Sequence, residues 1–127
     1  MGQYLIDNNV ISDYFTSSFS EKATLFISSV IDQIPNISVI TEIEALSWHA
    51  PDEVYETIIN DFIESANVLP LSKKVVSKCV QIRRSKKIKT PDAIIAATAI
   101  VHDFILLTSD RGFRRIPNLD IIDPFDL

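Results

Sequence analysis

A single cysteine, Cys79, rules out an internal disulfide in this chain of 127 residues. It lies in a helical pattern and reads as a small buried hydrophobe, so a reducing, cytoplasmic compartment is the simplest expectation. Histidine is nearly as scarce. His49 and His102 have no His, Cys or acidic partner at zinc-ligand spacing, and both read as surface or helix-end residues. The chain also lacks an apolar run of about eighteen residues, and its opening MGQYLIDNN has neither a basic n-region nor a cleavage-type apolar region. No membrane span and no secretory signal are expected. Gly2 is followed by Ile6 where a lipidated N-terminus would carry Ser or Thr. Internal repeats, low-complexity tracts and Gly/Ser linkers are missing too. With 46% hydrophobic and 23% charged residues, the chain has material for one core, and residues 1–127 are expected to form one domain. Positive charge is not in excess: the net charge of −5 argues against a nonspecific nucleic-acid coat protein.

What charge there is, is unevenly spread. Eight of the twelve basic residues fall between Lys73 and Lys89, just ahead of Asp92. They suit either a solvated helix face with a polar loop or a track for a polyanion leading to an acidic centre. Behind them runs TPDAIIAATAIV, residues 90–101, with Asp92 as its one charge. Thr90 suits an N-cap and Pro91 a first helical turn, and the Ala/Ile continuation without a polar face predicts a helix covered on most sides. Asp92 then stands at the mouth of a buried helix, where an acid also complements the helix dipole.

Elsewhere strands and helices alternate. Gln3 to Ile6 reads as a strand delivering Asp7, and Val10 to Phe15 as a short helix with Asp13 facing solvent. Ser18 and Glu21 resemble a capping box for a helix over Ser20 to Ile31. Ile37 to Ile40 reads as a second strand, followed by a helix opened by a Thr41–Glu44 capping box, with Glu42 facing solvent. Pro51 to Ser65 suits a helix with Val54 in its apolar stripe. Val68 to Leu71 suits an edge strand or connector. Ser72 to Ser85 suits a basic helix burying Val75, Val76, Cys79, Val80 and Ile82. Phe104 to Leu107 is a strong strand ending in Thr108, Ser109 and Asp110, and Asp120 to Ile122 a last short one. The alternation predicts an α/β fold, a mostly parallel sheet of about five short strands with helices on both faces.

In such a sheet, loops after parallel strands open at one edge. Asp7, Glu44 and Asp110 each follow a strand, and Asp92 can join them from its helix start. Each acid alone has an ordinary structural explanation as a turn or cap residue, but all four at one edge suggests a shared cause. Clustered carboxylates repel, and some take up protons unless a cation holds them ionised. Ligation by oxygen alone suits Mg²⁺ or Mn²⁺, and such a site can activate a water and stabilise charge on a phosphodiester.

The stretches that carry these acids resemble the motifs of PIN-domain ribonucleases: YLIDNNVISDYF the first, SVITEIEAL the second, TPDAIIAATAI the third and LLTSDRGF the fourth. The resemblance covers essentially the whole chain in the right order, and in size it is similar to the VapC toxins of toxin–antitoxin pairs. It implies a three-layer α/β/α PIN-like fold. It also implies that Asp7, Glu44, Asp92 and Asp110 coordinate Mg²⁺ or Mn²⁺ and carry catalysis, that Asn9 orders the first motif, and that Thr108 or Ser109 supports the fourth. RNA would be the substrate, with Arg83, Arg84, Lys86, Lys87 and Arg111 on its phosphates, joined by Arg114 and Arg115. A homodimer and a small cognate antitoxin are the implied partners. Two departures stand out: Asn8 replaces the commoner Thr beside Asp7, and Gly112 stands where many relatives have a further Asp, so the fourth position rests on Asp110. Other functions remain open at this point. A divalent-metal phosphatase of the haloacid-dehalogenase type needs a second Asp where Asn9 stands, a response-regulator receiver needs a mid-chain Asp and a late Lys that have no counterpart, and a silent PIN-fold binding module needs a broken acid set.

Overall fold

The computed structural model describes residues 3–127; Met1 and Gly2, and with them the reading of the N-terminus as unlipidated, lie outside the described residues. Five short strands form one parallel sheet: β1 Tyr4–Ile6, β2 Asn36–Ser38, β3 Asn67–Leu69, β4 Ile105–Leu107 and β5 Ile121–Ile122. Their order is β3-β2-β1-β4-β5, so the first and fourth strands meet at the centre. Leu5 pairs with Leu106 and Ile6 with Leu107. Because successive strand side chains point to opposite faces, this register sends Leu5 and Leu106 into one apolar layer and Ile6 and Leu107 into the other.

Two helices cover the first face, α5 Lys73–Ser85 and α6 Thr90–His102. Residues Ala93 to Ala99 of α6 are all buried, as a helix without a polar face must be. Its alanines leave room for α5 to pack along it, burying Val75, Cys79 and Ile82. The second face is covered by α1 Asn8–Phe15, α2 Glu21–Asp32, α3 Val39–Leu46 and α4 Glu53–Ser65, which contribute Val10, Ile11, Ile27, Val30, Ala45, Ile59, Phe62 and Ile63. The result is a three-layer α/β/α fold, as the alternation of elements predicts.

Several boundaries differ from expectation, mostly at caps. The second strand stops at Ser38, whose hydroxyl accepts the Thr41 N–H (3.1 Å), so α3 begins earlier and the Thr41–Glu44 box does not form. Ser38 wins because it already stands in extended backbone (φ −81°, ψ 160°), the geometry of an N-cap. Ser20, not Ser18, caps α2, accepting from the Ala23 N–H. Asp52 caps α4. Lys89 rather than Thr90 occupies the N-cap of α6, with no side-chain capping bond. Val54, Val76 and Val80 are 67%, 44% and 48% exposed, outside the stripes expected to bury them. Asp13 is half-buried rather than on the solvent face, and burial raises its carboxyl pKa. His102 stacks on Phe104 at the end of α6.

Ser38 is fully buried and also donates to the Thr41 hydroxyl (3.3 Å), so it fixes the first turn of the helix that carries Glu44. Ser38→Ala is expected to cost about 1 kcal/mol, the usual loss of a serine cap. Urea unfolding of the two proteins checks it, as a fall in midpoint at unchanged slope.

Candidate active site

Asp7 is the most constrained of the four acids. It leaves the end of β1 with its N–H bonded to the Leu107 carbonyl (3.0 Å), so the β1–β4 pairing carries straight into the site. One carboxylate oxygen accepts the Asn8 N–H (2.8 Å); the other accepts the Thr108 hydroxyl (2.7 Å) and the Asn9 amide (3.1 Å). Thr108 can serve this way because it sits next to Asp7 across the central seam, one residue past β4. The bonds continue outward. Asn9 Oδ1 accepts the Ser109 N–H (3.3 Å), the Thr108 hydroxyl accepts the Asp110 N–H (3.1 Å), and Asp110 Oδ1 accepts the Gly112 N–H (2.8 Å). A Cβ at position 112 would approach that Asp110 oxygen to 3.1 Å, so a residue larger than Gly crowds the turn.

The other acids share Asp7's electrostatic field. Burial raises the Asp7 pKa; hydrogen bonds from Thr108 and Asn8 oppose it, and the charges of Asp92 and Asp110 add to it. Glu44, an exposed residue on α3, is raised by partial desolvation of its carboxyl and then by Asp7 and Asp92. Asp92, in the first turn of α6, is raised by burial and by Asp110, while Lys89 pulls it down. All four acids are thus linked, at the sheet edge where β1, β2 and β4 end. As the side chains stand, no three His, Cys, Asp or Glu among the described residues are gathered tightly enough to hold an ion. The four acids share a field rather than a coordination sphere. The donor chemistry itself, carboxylate oxygen without imidazole or thiolate, suits a hard divalent cation.

Beside the acids lies a groove of about 520 Å³ lined by Arg83, Lys87, Ile88, Lys89, Asp92, Asp110, Gly112, Phe113 and Arg115. The basic residues expected on substrate therefore divide. Arg83 and Lys87 line the acidic groove. Arg84 lines a neighbouring apolar recess with Leu71, Val76 and Val80, while Lys86 and Arg111 are exposed and line neither. Arg114 is engaged elsewhere, with Asp123 (3.5 Å) and Asp126 (3.3 Å). These are the ion pairs found among the described residues, so Arg83, Lys87, Lys89 and Arg115 border Asp92 and Asp110 without pairing with them. The apolar walls, Ile88 and Phe113, escaped sequence reasoning; the one available signal was Phe113 three residues after Asp110.

The raised carboxyls make a prediction about stability. Unfolded, these acids titrate near their ordinary values of 3.8 for Asp and 4.5 for Glu; folded, they hold protons to higher pH. Across that window the unfolded chain binds fewer protons, so stability falls as pH rises. Metal-free protein is expected to lose stability from about pH 4 upward more steeply in the wild type than in Asp92→Asn. Mn²⁺ should restore it at neutral pH, by about 2.7 kcal/mol at a hundred times its dissociation constant. Thermal melts of both proteins across pH, with EDTA and with Mn²⁺, measure this. Parallel pH profiles and a wild type indifferent to Mn²⁺ would contradict it.

The comparisons with known proteins agree with this architecture. The family model described as PIN domain matches residues 4–119. Among solved structures, a chain of a toxin–antitoxin complex from Klebsiella pneumoniae is similar at 26% identity and TM-score 0.77, with 98% of this chain and 100% of that one covered. FitAcB from Neisseria gonorrhoeae (23%, TM-score 0.77, 98% and 100%) and DNA-bound VapBC from Salmonella typhimurium (24%, TM-score 0.76, 98% and 99%) share the fold. An uncharacterized protein of Archaeoglobus fulgidus is 44% identical over 41 residues, which span 32% of this chain and 66% of that relative. With a family match over nearly its whole length and the VapC-like architecture of these toxin–antitoxin structures, the chain belongs to the PIN domain family.

Proposed function

We propose that this protein is a Mg²⁺- or Mn²⁺-dependent endoribonuclease, the toxin of a toxin–antitoxin pair, acting in the cytoplasm. The observation that carries the reading is the joining of four carboxylates from separate elements in one field, beside a groove whose cations are not neutralised by them. For a purely structural role, acids and cations this near would be expected to pair.

Asp7, Glu44, Asp92 and Asp110 would hold the metal. When bound, Mg²⁺ or Mn²⁺ supplies Lewis-acid activation of water and neutralises charge that builds on the phosphodiester. The chain's own residues do the rest. Thr108, Asn8 and Asn9 fix the Asp7 carboxylate through its hydrogen bonds, so its orientation is set in advance. A carboxylate with a raised pKa can take a proton from the attacking water. Arg83, Lys87, Lys89 and Arg115 attract the flanking phosphates. A small antitoxin as partner is supported by the toxin–antitoxin complex among the similar structures. A homodimer is supported by apolar side chains that one chain leaves uncovered, Ile43 and Leu46 on α3, Trp48 just beyond its end, and Val76 and Val80 on α5.

The reading is tested with labelled single-stranded RNA. Cleavage is expected with Mg²⁺ or Mn²⁺, to be abolished by EDTA, and to be lost in Asp92→Asn with the melting transition retained. Undiminished cleavage in EDTA or by Asp92→Asn would overturn it. Salt dependence then separates the basic residues. Lys87→Gln should flatten the salt slope of RNA binding by about one unit, as a lost phosphate contact does, whereas Lys86→Gln should not. Equal effects of the two would mean that the groove lining is irrelevant to binding.

A further inference from the structure

The loop between α5 and α6, residues 86–89, delivers Lys87 and Lys89 to the groove and sets where α6, and therefore Asp92, begins. Helices usually fix such a start with a side-chain cap. Here the N-cap is Lys89, and no side chain caps the first turn. Two guanidiniums hold the loop instead. Arg83 Nε, from the last turn of α5, donates to the Ile88 carbonyl (3.3 Å). Arg115 Nη2, from the 3₁₀ turn Arg111–Arg115 that follows Asp110, donates to the Lys87 carbonyl. Each cation thus spends a hydrogen bond on the backbone of the loop. Arg115 in particular ties the turn behind Asp110 to the residues just ahead of Asp92.

We propose that Arg115 is a positioning residue of this site, its guanidinium clamping the Lys87 carbonyl so that Asp92 and Asp110, carried on separate segments, keep a fixed separation. The role rests on the nuclease reading, but the clamp is a property of the chain alone. Arg114, next in sequence, shows the contrast: its guanidinium bridges Asp123 and Asp126 and secures the C-terminal turn. An arginine that merely attracted phosphate would need no backbone partner. One that spans two acid-bearing segments constrains both, and small misplacements of reacting groups are costly in turnover.

The test uses Arg115→Gln, which removes charge and clamp, and Arg115→Lys, which keeps the charge on a shorter side chain without the planar fork. In metal-free protein, amide hydrogen exchange over residues 86–92 is expected to quicken in both variants. With labelled single-stranded RNA and Mn²⁺, kcat is expected to fall roughly ten- to hundredfold in both with KM unchanged in Arg115→Lys, and the salt slope of RNA binding to flatten only in Arg115→Gln. Wild-type exchange in both variants, or a defect confined to KM and repaired by Lys, would overturn the clamp and leave Arg115 a simple phosphate contact. If the wild type cleaves no RNA, the nuclease reading fails, while the exchange experiment still decides the clamp.

Discussion

The hydrogen bond from Thr108 to Asp7 crosses the central seam of the sheet, and the rest of the site is arranged around it. A carboxylate that is 6% exposed pays heavily for its charge unless donors surround it. Here they come from three directions: the Asn8 backbone, the Asn9 amide and the Thr108 hydroxyl. Each depends on the fold being correct. Thr108 reaches Asp7 only because β1 and β4 are parallel neighbours in the register Ile6 to Leu107, and Asn9 only because α1 starts one residue after Asp7. The same two side chains then fix the Ser109 and Asp110 amides, so order spreads from the seam to the fourth acid.

That order has an electrostatic cost. Among the described residues, the cations near the acids do not pair with them, and burial, then the charge of neighbouring acids, raises the pKa values of Asp7, Glu44 and Asp92. A site selected for stability alone would have moved Arg115 or Lys89 onto Asp92. Like charges are thus held together at this edge while the cations line the groove beside them without forming ion pairs to them. Buried α6 makes the arrangement tolerable: with Ala93 to Ala99 locked in the core, its first turn cannot retreat from the repulsion without disturbing one whole apolar layer.

Much of this was legible in the sequence. The Ala/Ile run of α6 has no polar face, so its burial followed from composition alone, and the strand-helix alternation required a parallel sheet whose loops open at one edge. What failed was finer. Ser38 and Thr41 are both good caps, less than one helical turn apart, and propensity cannot say which residue of Ser-Val-Ile-Thr leaves the strand first. Val76 and Val80 fit the apolar spacing of α5 but lie just beyond the strip that α6 covers, and periodicity locates a stripe without fixing its width. The basic cluster was visible as charge, yet charge does not tell which of Arg83, Arg84, Lys86 and Lys87 point into a groove.

Arg114 and Arg115 are neighbours in sequence with different partners. Adjacent, chemically identical and both exposed, they are equivalent to any reading of composition. The 3₁₀ turn separates them. Its tight winding sends Arg114 toward Asp123 and Asp126 at the C-terminal end of the chain and Arg115 toward the loop before α6. One arginine therefore closes the fold and the other borders its acids. The turn itself is anchored by Asp110, whose carboxylate accepts the Gly112 N–H, and by Phe113, buried to 1% in the α5–α6 layer. The fourth acid is thus also the cap of the element that aims both arginines, which couples its position to the cationic wall of the groove as tightly as Thr108 couples it to Asp7.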